Sequence, residues 1–281
     1  MKNNPIPTIS ITRMQSGRLS EATDQIAVEE PLQIQLLYGP SGKEQRKNLA
    51  VTMRTPGNDD ELAAGFLFTE GIIDNRKQLI SVIAGAESVN TVLAILSGQF
   101  MPDLKTAERN FYISSSCGVC GKSSIDAVRK VTDYPSGSKI FQIAASVLHH
   151  LPEALRNEQF LFQSTGGLHA CALFDRNGRF IMLREDVGRH NALDKLIGFA
   201  FLKEQLPLDN VILLLSGRAC FELIQKAAIA GIRVIAAIGA PTSLAVELAA
   251  EAGITLIGFL KHDRFNIYSC PERIEETVHQ L

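Results

Sequence analysis

Cys117 and Cys120 bracket the run Cys117-Gly118-Val119-Cys120 in a chain with only five cysteines. Such a pair can close a reversible disulfide, hold half of a metal site or carry a transferable sulfur atom. Its flanks say where it stands. Ser114-Ser115-Ser116 has no helical period, whereas Gly121-Lys122-Ser123-Ser124 leads into Ile125, Val128 and Val131 at helical spacing. The pair is therefore expected near a helix N-terminus, where unpaired N–H groups and the dipole favour thiolate over thiol. A structural zinc needs four ligands. No second pair exists here, and His149-His150 and His169 lack finger spacing. A zinc deaminase would show a His-x-Glu ahead of the pair and a proline directly before it, where this chain has Ser115-Ser116. A redox pair expects a βαβ frame, and the preceding strand is at best residues 111–113. A sulfur carrier needs the same accessible, low-pKa thiolate, so spacing alone leaves redox and carrier chemistry both open.

The elements that must position this pair read as follows. Residues 1–27 are polar and patternless, expected to be a flexible segment without the apolar core of a secretory signal. Residues 28–110 read as a small α+β domain. Leu32, Ile34 and Leu36 alternate with polar residues, Leu49, Val51 and Met53 do so next, and Gly39-Pro40-Ser41-Gly42 between them predicts a hairpin. Asn58-Asp59-Asp60-Glu61 is expected to cap a helix carrying Leu62, Phe66 and Leu67, closed near Gly71. Residues 91–96 read as another strand. Pro102 to Asn110 is a polar stretch suited to a boundary.

Residues 111–281 form the second expected domain. A helical pattern runs through Ile143, Val147, Leu148 and Leu151. Residues 170–174 and 179–183 flank the turn Asp175-Arg176-Asn177-Gly178 as a hairpin. Residues 191–202 read as a helix burying Leu193, Leu196, Ile197 and Phe201. Three continuous apolar runs, 211–215, 234–238 and 255–259, then alternate with helices at 221–230 and 243–252. Unbroken apolar strands joined by helices predict a parallel sheet covered on both faces, an α/β arrangement (α+β overall).

Ligands of open α/β sheets gather beyond the carboxyl ends of the parallel strands. Those ends carry Ser216-Gly217-Arg218, then Gly239-Ala240-Pro241-Thr242-Ser243, then Lys261-His262-Asp263-Arg264. Hydroxyls at helix N-termini and guanidinium groups together suit phosphate. Arg218, Lys261 and Arg264 are the candidate phosphate cations, with Thr242 and Ser243 as donors. A net charge of −2 gives no general reason for nucleic acid or a membrane surface as partner, so an anion site must be local. No stretch is apolar and long enough to span a membrane. An odd number of cysteines, three of them single (Cys171, Cys220, Cys270), gives no disulfide framework, so a reduced, cytoplasmic protein is expected, with Cys171 and Cys220 in or near the core.

The run Arg184-Glu185-Asp186-Val187-Gly188-Arg189-His190-Asn191-Ala192-Leu193-Asp194-Lys195, with Ser116-Cys117-Gly118-Val119-Cys120-Gly121, resembles the FdhD family of formate dehydrogenase accessory sulfur carriers. Ser216-Gly217-Arg218 with Glu222 and Gln225-Lys226, Thr242 to Val246, and Gly258-Phe259 follow the same pattern in order. The resemblance implies a sulfur carrier that takes sulfur from a cysteine desulfurase as a persulfide on Cys117. It then passes the sulfur to the molybdenum of a bis(molybdopterin guanine dinucleotide) cofactor destined for formate dehydrogenase. It also implies a cytidine deaminase-like C-terminal domain, a homodimer, and cofactor binding by Phe259-Leu260-Lys261-His262-Asp263-Arg264. His262-Asp263 departs from the small residue expected there, and an aspartate suits a pyrophosphate only if it turns away while Lys261 and Arg264 face the ligand. Cys120 either assists Cys117 or discharges its persulfide. Asp186, Arg189 and His190 either orient the reacting end or form a buried network at the start of the helix from Asn191, and His169 divides the same way. A thiol–disulfide oxidoreductase and a cofactor-binding chaperone without sulfur transfer are the alternative functions.

Overall fold

The computed structural model describes residues 6–104, 111–112 and 141–276. Cys117 and Cys120 lie outside them. At the N-terminus β1 (Thr8–Gln15) and β2 (Arg18–Gln25) pair antiparallel as an exposed ribbon. The expectation of a patternless segment is thereby corrected. The signals for pairing are the Thr-Ile-Ser-Ile alternation and Ser16-Gly17, whose φ values of 51° and 75° are the paired positive angles of a tight hairpin turn.

A five-stranded sheet follows in the order β5-β6-β3-β4-β7. It comprises β3 (Glu30–Tyr38), β4 (Gln45–Arg54), β5 (Leu79–Ala84), β6 (Thr91–Leu96) and β7 (Phe111–Tyr112). The β3–β4 hairpin forms as its alternation predicts, with one correction. A register shift at Ile34/Gln35 breaks the period, and β4 buries Ala50, Thr52 and Arg54 while Met53 is exposed. One slipped residue exchanges the two faces of a strand, so Val51 and Met53 are not the inward set. The buried polar groups are satisfied. Arg54 grips both oxygens of Asp59 at 2.9 Å, and Thr52 Oγ1 donates to Asn191 at 3.2 Å. Helix α1 (Asp59–Thr69) covers this sheet. It starts where the acidic run predicts, but Asn58 sits in the left-handed region and its side chain caps nothing.

The second half holds β8 (Ile143–Ala144), α2 (Ala145–Glu158), α3 (Phe160–Thr165), β9 (His169–Phe174), β10 (Phe180–Asp186) and α4 (Arg189–Leu202). After them come β11 (Ile212–Leu215), α5 (Phe221–Ile229), β12 (Val234–Ala237), α6 (Ser243–Glu251), β13 (Thr255–Gly258), β14 (Asn266–Ser269) and β15 (Ile274–Glu275). Six strands form one mixed sheet, β10-β9-β11-β12-β13-β14, whose β11, β12 and β13 are parallel and whose flanking pairs are antiparallel. The unbroken apolar runs have the predicted cause. Leu213, Leu215, Ile235 and Leu256 pack with Leu193, Leu223 and Leu248 on one face, while Ile212, Leu214, Val234 and Ile257 pack with Leu148, Leu151 and Leu155 of α2 on the other.

Helices α1 and α4 tie the two sheets into one core containing Leu32 and Leu67 as well as Leu213 and Ile235. Their backbones touch at Gly65 and Gly198. A Cβ on Gly65 would stand 1.9 Å from the Asp194 carbonyl oxygen, and one on Gly198 would stand 1.8 Å from that of Glu61. Buried ions flank this contact. Asp186 meets Lys195 at 2.7 Å and accepts from the Thr55 and Gly188 N–H groups and from Asn191. Lys226 donates to Asp194, Glu70 and Thr69 at 2.9–3.1 Å. Burial opposes the charge on Lys226, yet Asp194 and Glu70 more than restore it and raise its pKa.

Candidate functional site

At the carboxyl ends of the parallel strands lies a cleft of about 920 Å³. Its walls include Gly166 to His169, Ser216-Gly217 after β11, Leu260-Lys261-His262 after β13, Glu153 and Arg156 of α2, and Gln159 just past its end. The strand-end loops lie flush because each bonds to the next through backbone. Gly239 N donates to Gly217 O at 2.9 Å, Phe259 N to Gly239 O at 3.0 Å, and Thr242 N to Ala219 O at 3.0 Å.

The structure brings together part of what the sequence singled out. After β13, Phe259 is exposed with φ of 54°, and Leu260 turns inward. Lys261 N then donates to Arg264 O at 2.9 Å, closing a turn. Lys261 and His262 line the cleft, and His149 Nδ1 lies 3.1 Å from the Lys261 carbonyl. Asp263 and Arg264 are exposed and off the lining, with Asp263 beside His262 at 3.8 Å. Ser216 lines the cleft, but its Oγ is already occupied by the Ala170 N–H at 2.8 Å. Arg218 is exposed beside the cleft. Thr242 and Ser243 open α6 on the exposed surface, outside the lining, and the Thr242 side chain does not cap its helix.

His169 reaches the cleft from β9. Burial first, then the charges of Arg189 and Arg218, lower its pKa against the opposing pull of Asp186, so at neutral pH it offers a hydrogen-bonding ring and no charge. His190 points the other way, 3.1 Å from Glu222 and 3.4 Å from Cys220 Sγ. Burial, with help from Lys226 and Arg189, pushes its pKa down to about 3. Asp186 belongs to the buried network between α1 and α4. Cys171 is buried in the core, and burial pushes its thiol pKa up, which makes it unreactive. Cys220 is half-buried.

Sequence reasoning missed Arg156 and Gln159. Arg156 sits on the last turn of α2 and Gln159 just past its end, and only the packing of α2 against the sheet turns that stretch into a cleft wall. The adjoining α3 is held from the sheet, since the Glu185 carboxylate accepts from the Leu161 and Phe162 N–H groups at 3.1 and 2.9 Å. Burial raises the pKa of Glu185 although these two bonds work to lower it.

The fold and the cleft define a mixed α/β protein with a cleft at its strand ends whose lining carries Arg156, Lys261 and His262 and one carboxylate, Glu153. Residues 27–275 match the model of the FdhD/NarQ family. The chain belongs to that family. It is 47% identical over 272 residues to a sulfur carrier protein FdhD of Mycolicibacterium paratuberculosis, covering 94% of this chain and 97% of the relative. A protein of the same name from Sulfolobus acidocaldarius is 42% identical over 272 residues, 96% of this chain and 99% of the other. The fold matches the crystal structure of a candidate formate dehydrogenase accessory protein from Desulfotalea psychrophila with a TM-score of 0.76 at 22% identity, over 97% of this chain and all of that one. Among the described residues no helix is long and apolar enough to cross a membrane.

Proposed function

We propose that this chain is a sulfur carrier for formate dehydrogenase maturation. In this reading Cys117 accepts the outer sulfur of a cysteine desulfurase persulfide. The Cys117 thiolate attacks that sulfur, a new S–S bond forms, and the desulfurase thiolate leaves, so no external oxidant is needed. The sulfur then passes to the molybdenum of the bis(molybdopterin guanine dinucleotide) cofactor, which is the substrate, before that cofactor enters formate dehydrogenase. The observation that carries the reading is a coincidence. The segment expected to bind this cofactor, residues 259–264, supplies Leu260, Lys261 and His262 to a cleft whose lining also carries Arg156. Lys261 and Arg156 suit pyrophosphate oxygens, and neutral His169 offers a hydrogen bond deeper in. The relatives' name, sulfur carrier protein, agrees with this chemistry.

The test is mass spectrometry without reductant after incubation with a cysteine desulfurase and cysteine. One added sulfur on the Cys117 peptide is expected, lost on reduction and absent in Cys117→Ala. A Cys117–Cys120 disulfide without added sulfur would replace the carrier by a thiol–disulfide oxidoreductase. Maturation of formate dehydrogenase by a protein lacking both cysteines would leave a cofactor-binding chaperone.

A further inference from the structure

Between two buried residues, Gln159 and Leu168, the chain passes through residues 160–167 without burying any of them. Helix α3 makes up most of this stretch, with Phe160 71% and Phe162 38% exposed. An element that buries nothing gains little from packing, so its position must be held by something else.

Its hydrogen bonds show what holds it. Gln163 N donates to Gln159 O at 2.9 Å, Gly166 N to Phe162 O at 2.7 Å, and the Ser164 and Thr165 hydroxyls to Phe160 O and Leu161 O. These bonds stay within the stretch or at its start, and the Gln163 side-chain amide reaches only the Arg156 carbonyl of α2. Among the described residues, its ties to the six-stranded sheet are the bonds from Leu161 N and Phe162 N to the Glu185 carboxylate of β10, at 3.1 and 2.9 Å. β2 of the N-terminal ribbon also lies beside α3.

Both ends of the stretch are suited to turning. Gly166 closes α3 in the left-handed region with φ of 67°, and Gly167 follows with only ordinary contacts around the place of a Cβ. Adjacent glycines absorb a change of backbone direction at low cost. At the other end Gln159, with φ of −80° and ψ of 69°, already breaks the path from α2 into α3. The stretch is also part of the cleft wall, since Phe162, Gly166 and Gly167 line it next to His169.

We propose that residues 160–167 form a lid on the strand-end cleft, hinged at Gly166-Gly167 and latched shut by Glu185. When the Leu161 and Phe162 N–H groups leave the carboxylate, water takes over both sides of the bonds and the cleft widens at α3. Closure in turn keeps water from the cleft. The lid rests on the reading above only in that a ligand enters this cleft.

Hydrogen–deuterium exchange of the full chain without ligand tests it. In the parent, the amides of residues 160–167 should exchange by local opening, well before those of α2 and β9. Glu185→Gln turns an NH₂ group toward an N–H donor. Exchange in 160–167 should then quicken about tenfold, the loss of one charge-assisted hydrogen bond, with α2 and β9 unchanged. Carbethoxylation of His169 by diethyl pyrocarbonate, followed by peptide mass, reads the cover itself and should quicken in the same variant. The charges that act on His169 are those of Arg189, Asp186 and Arg218, so the substitution alters its access and not its basicity. A parent whose 160–167 amides exchange only together with α2 and β9 would overturn the lid. Unchanged exchange in Glu185→Gln, or faster exchange with His169 no more reactive, would overturn it as well. None of these outcomes touches sulfur transfer, which the mass of the Cys117 peptide decides separately.

Discussion

The contact between α1 and α4 and the cleft at the strand ends are both built from polar and glycine residues, and they use them in opposite ways. At the helix contact every named ion has its counter-ion within hydrogen-bond reach, as with Asp186 and Lys195 or Lys226 and Asp194. The glycines there are spaces into which another backbone fits. At the cleft the cations Lys261 and Arg156 are exposed and Gln159 keeps an unpaired nitrogen. A charge held by its counter-ion fixes a fold, whereas an exposed cation is free to meet a ligand. The difference separates residues that hold the fold from candidates for ligand contact.

Matched substitutions at the two places sharpen the contrast. The largest effect is expected from Gly198→Ala, whose methyl would meet the Glu61 carbonyl oxygen and force the helices apart, costing on the order of 5 kcal/mol. Gly167→Ala in the cleft wall, with Ala27 Cβ at 3.6 Å and Thr165 O at 3.9 Å as its nearest atoms, should cost less than about 1 kcal/mol. Urea unfolding of the two proteins makes the comparison, and equal midpoints would break it.

Asp186→Asn comes next. It leaves the Lys195 charge buried beside a neutral amide, for a loss of about 3–5 kcal/mol by the same measurement. A near-neutral result would mean that Lys195 finds another partner.

His190, packed between α4 and the start of α5, tests the structural side of the comparison through pH. Its folded pKa of about 3 lies below the ordinary 6.5, so the unfolded chain takes up the proton more readily. Its share of stability is present above pH 6.5 and is lost as the pH falls toward 3, at up to about 1.4 kcal/mol per pH unit. His190→Gln should flatten the fall in melting temperature across that window, and an unchanged slope would assign the acid sensitivity to other groups. The smallest effect belongs to Lys261→Gln, within about 0.5 kcal/mol of the parent in stability. A large loss there would show that the cleft rim holds the fold as well.

Much of this architecture was legible in the sequence because it is local. The three parallel strands and the helices between them carry continuous apolar runs or clear helical periods, and the Asp175–Gly178 turn names its own hairpin. The Arg184–Lys195 run was legible as special, and a buried network at the start of its helix was one of the two readings it allowed, the one Asp186 follows. Its remote partners, Thr52, Thr55 and Glu61 among them, come from β4, the turn after it and α1, more than 120 residues earlier in the chain. The face of β4 was misread because a bulge leaves no mark on an alternating pattern. The strand-end rule found Lys261 and His262, but it also nominated Thr242 and Ser243, which the backbone bonds among the loops leave outside. Arg156 and Gln159 stand at the end of a helix on the far face of the sheet, and no local pattern marks such an end as a cleft wall.

The crossing of α1 over α4 also bears on how the chain is made. Thr69 must wait for Asp194, 125 residues further along, before its hydrogen bond can form. At about 5–20 residues per second of synthesis, the first sheet and its helix spend roughly 6–25 s with an apolar, glycine-notched face uncovered. During that interval the nascent N-terminal half is a natural client for a chaperone. A truncated product ending before α4 should aggregate where the whole protein does not.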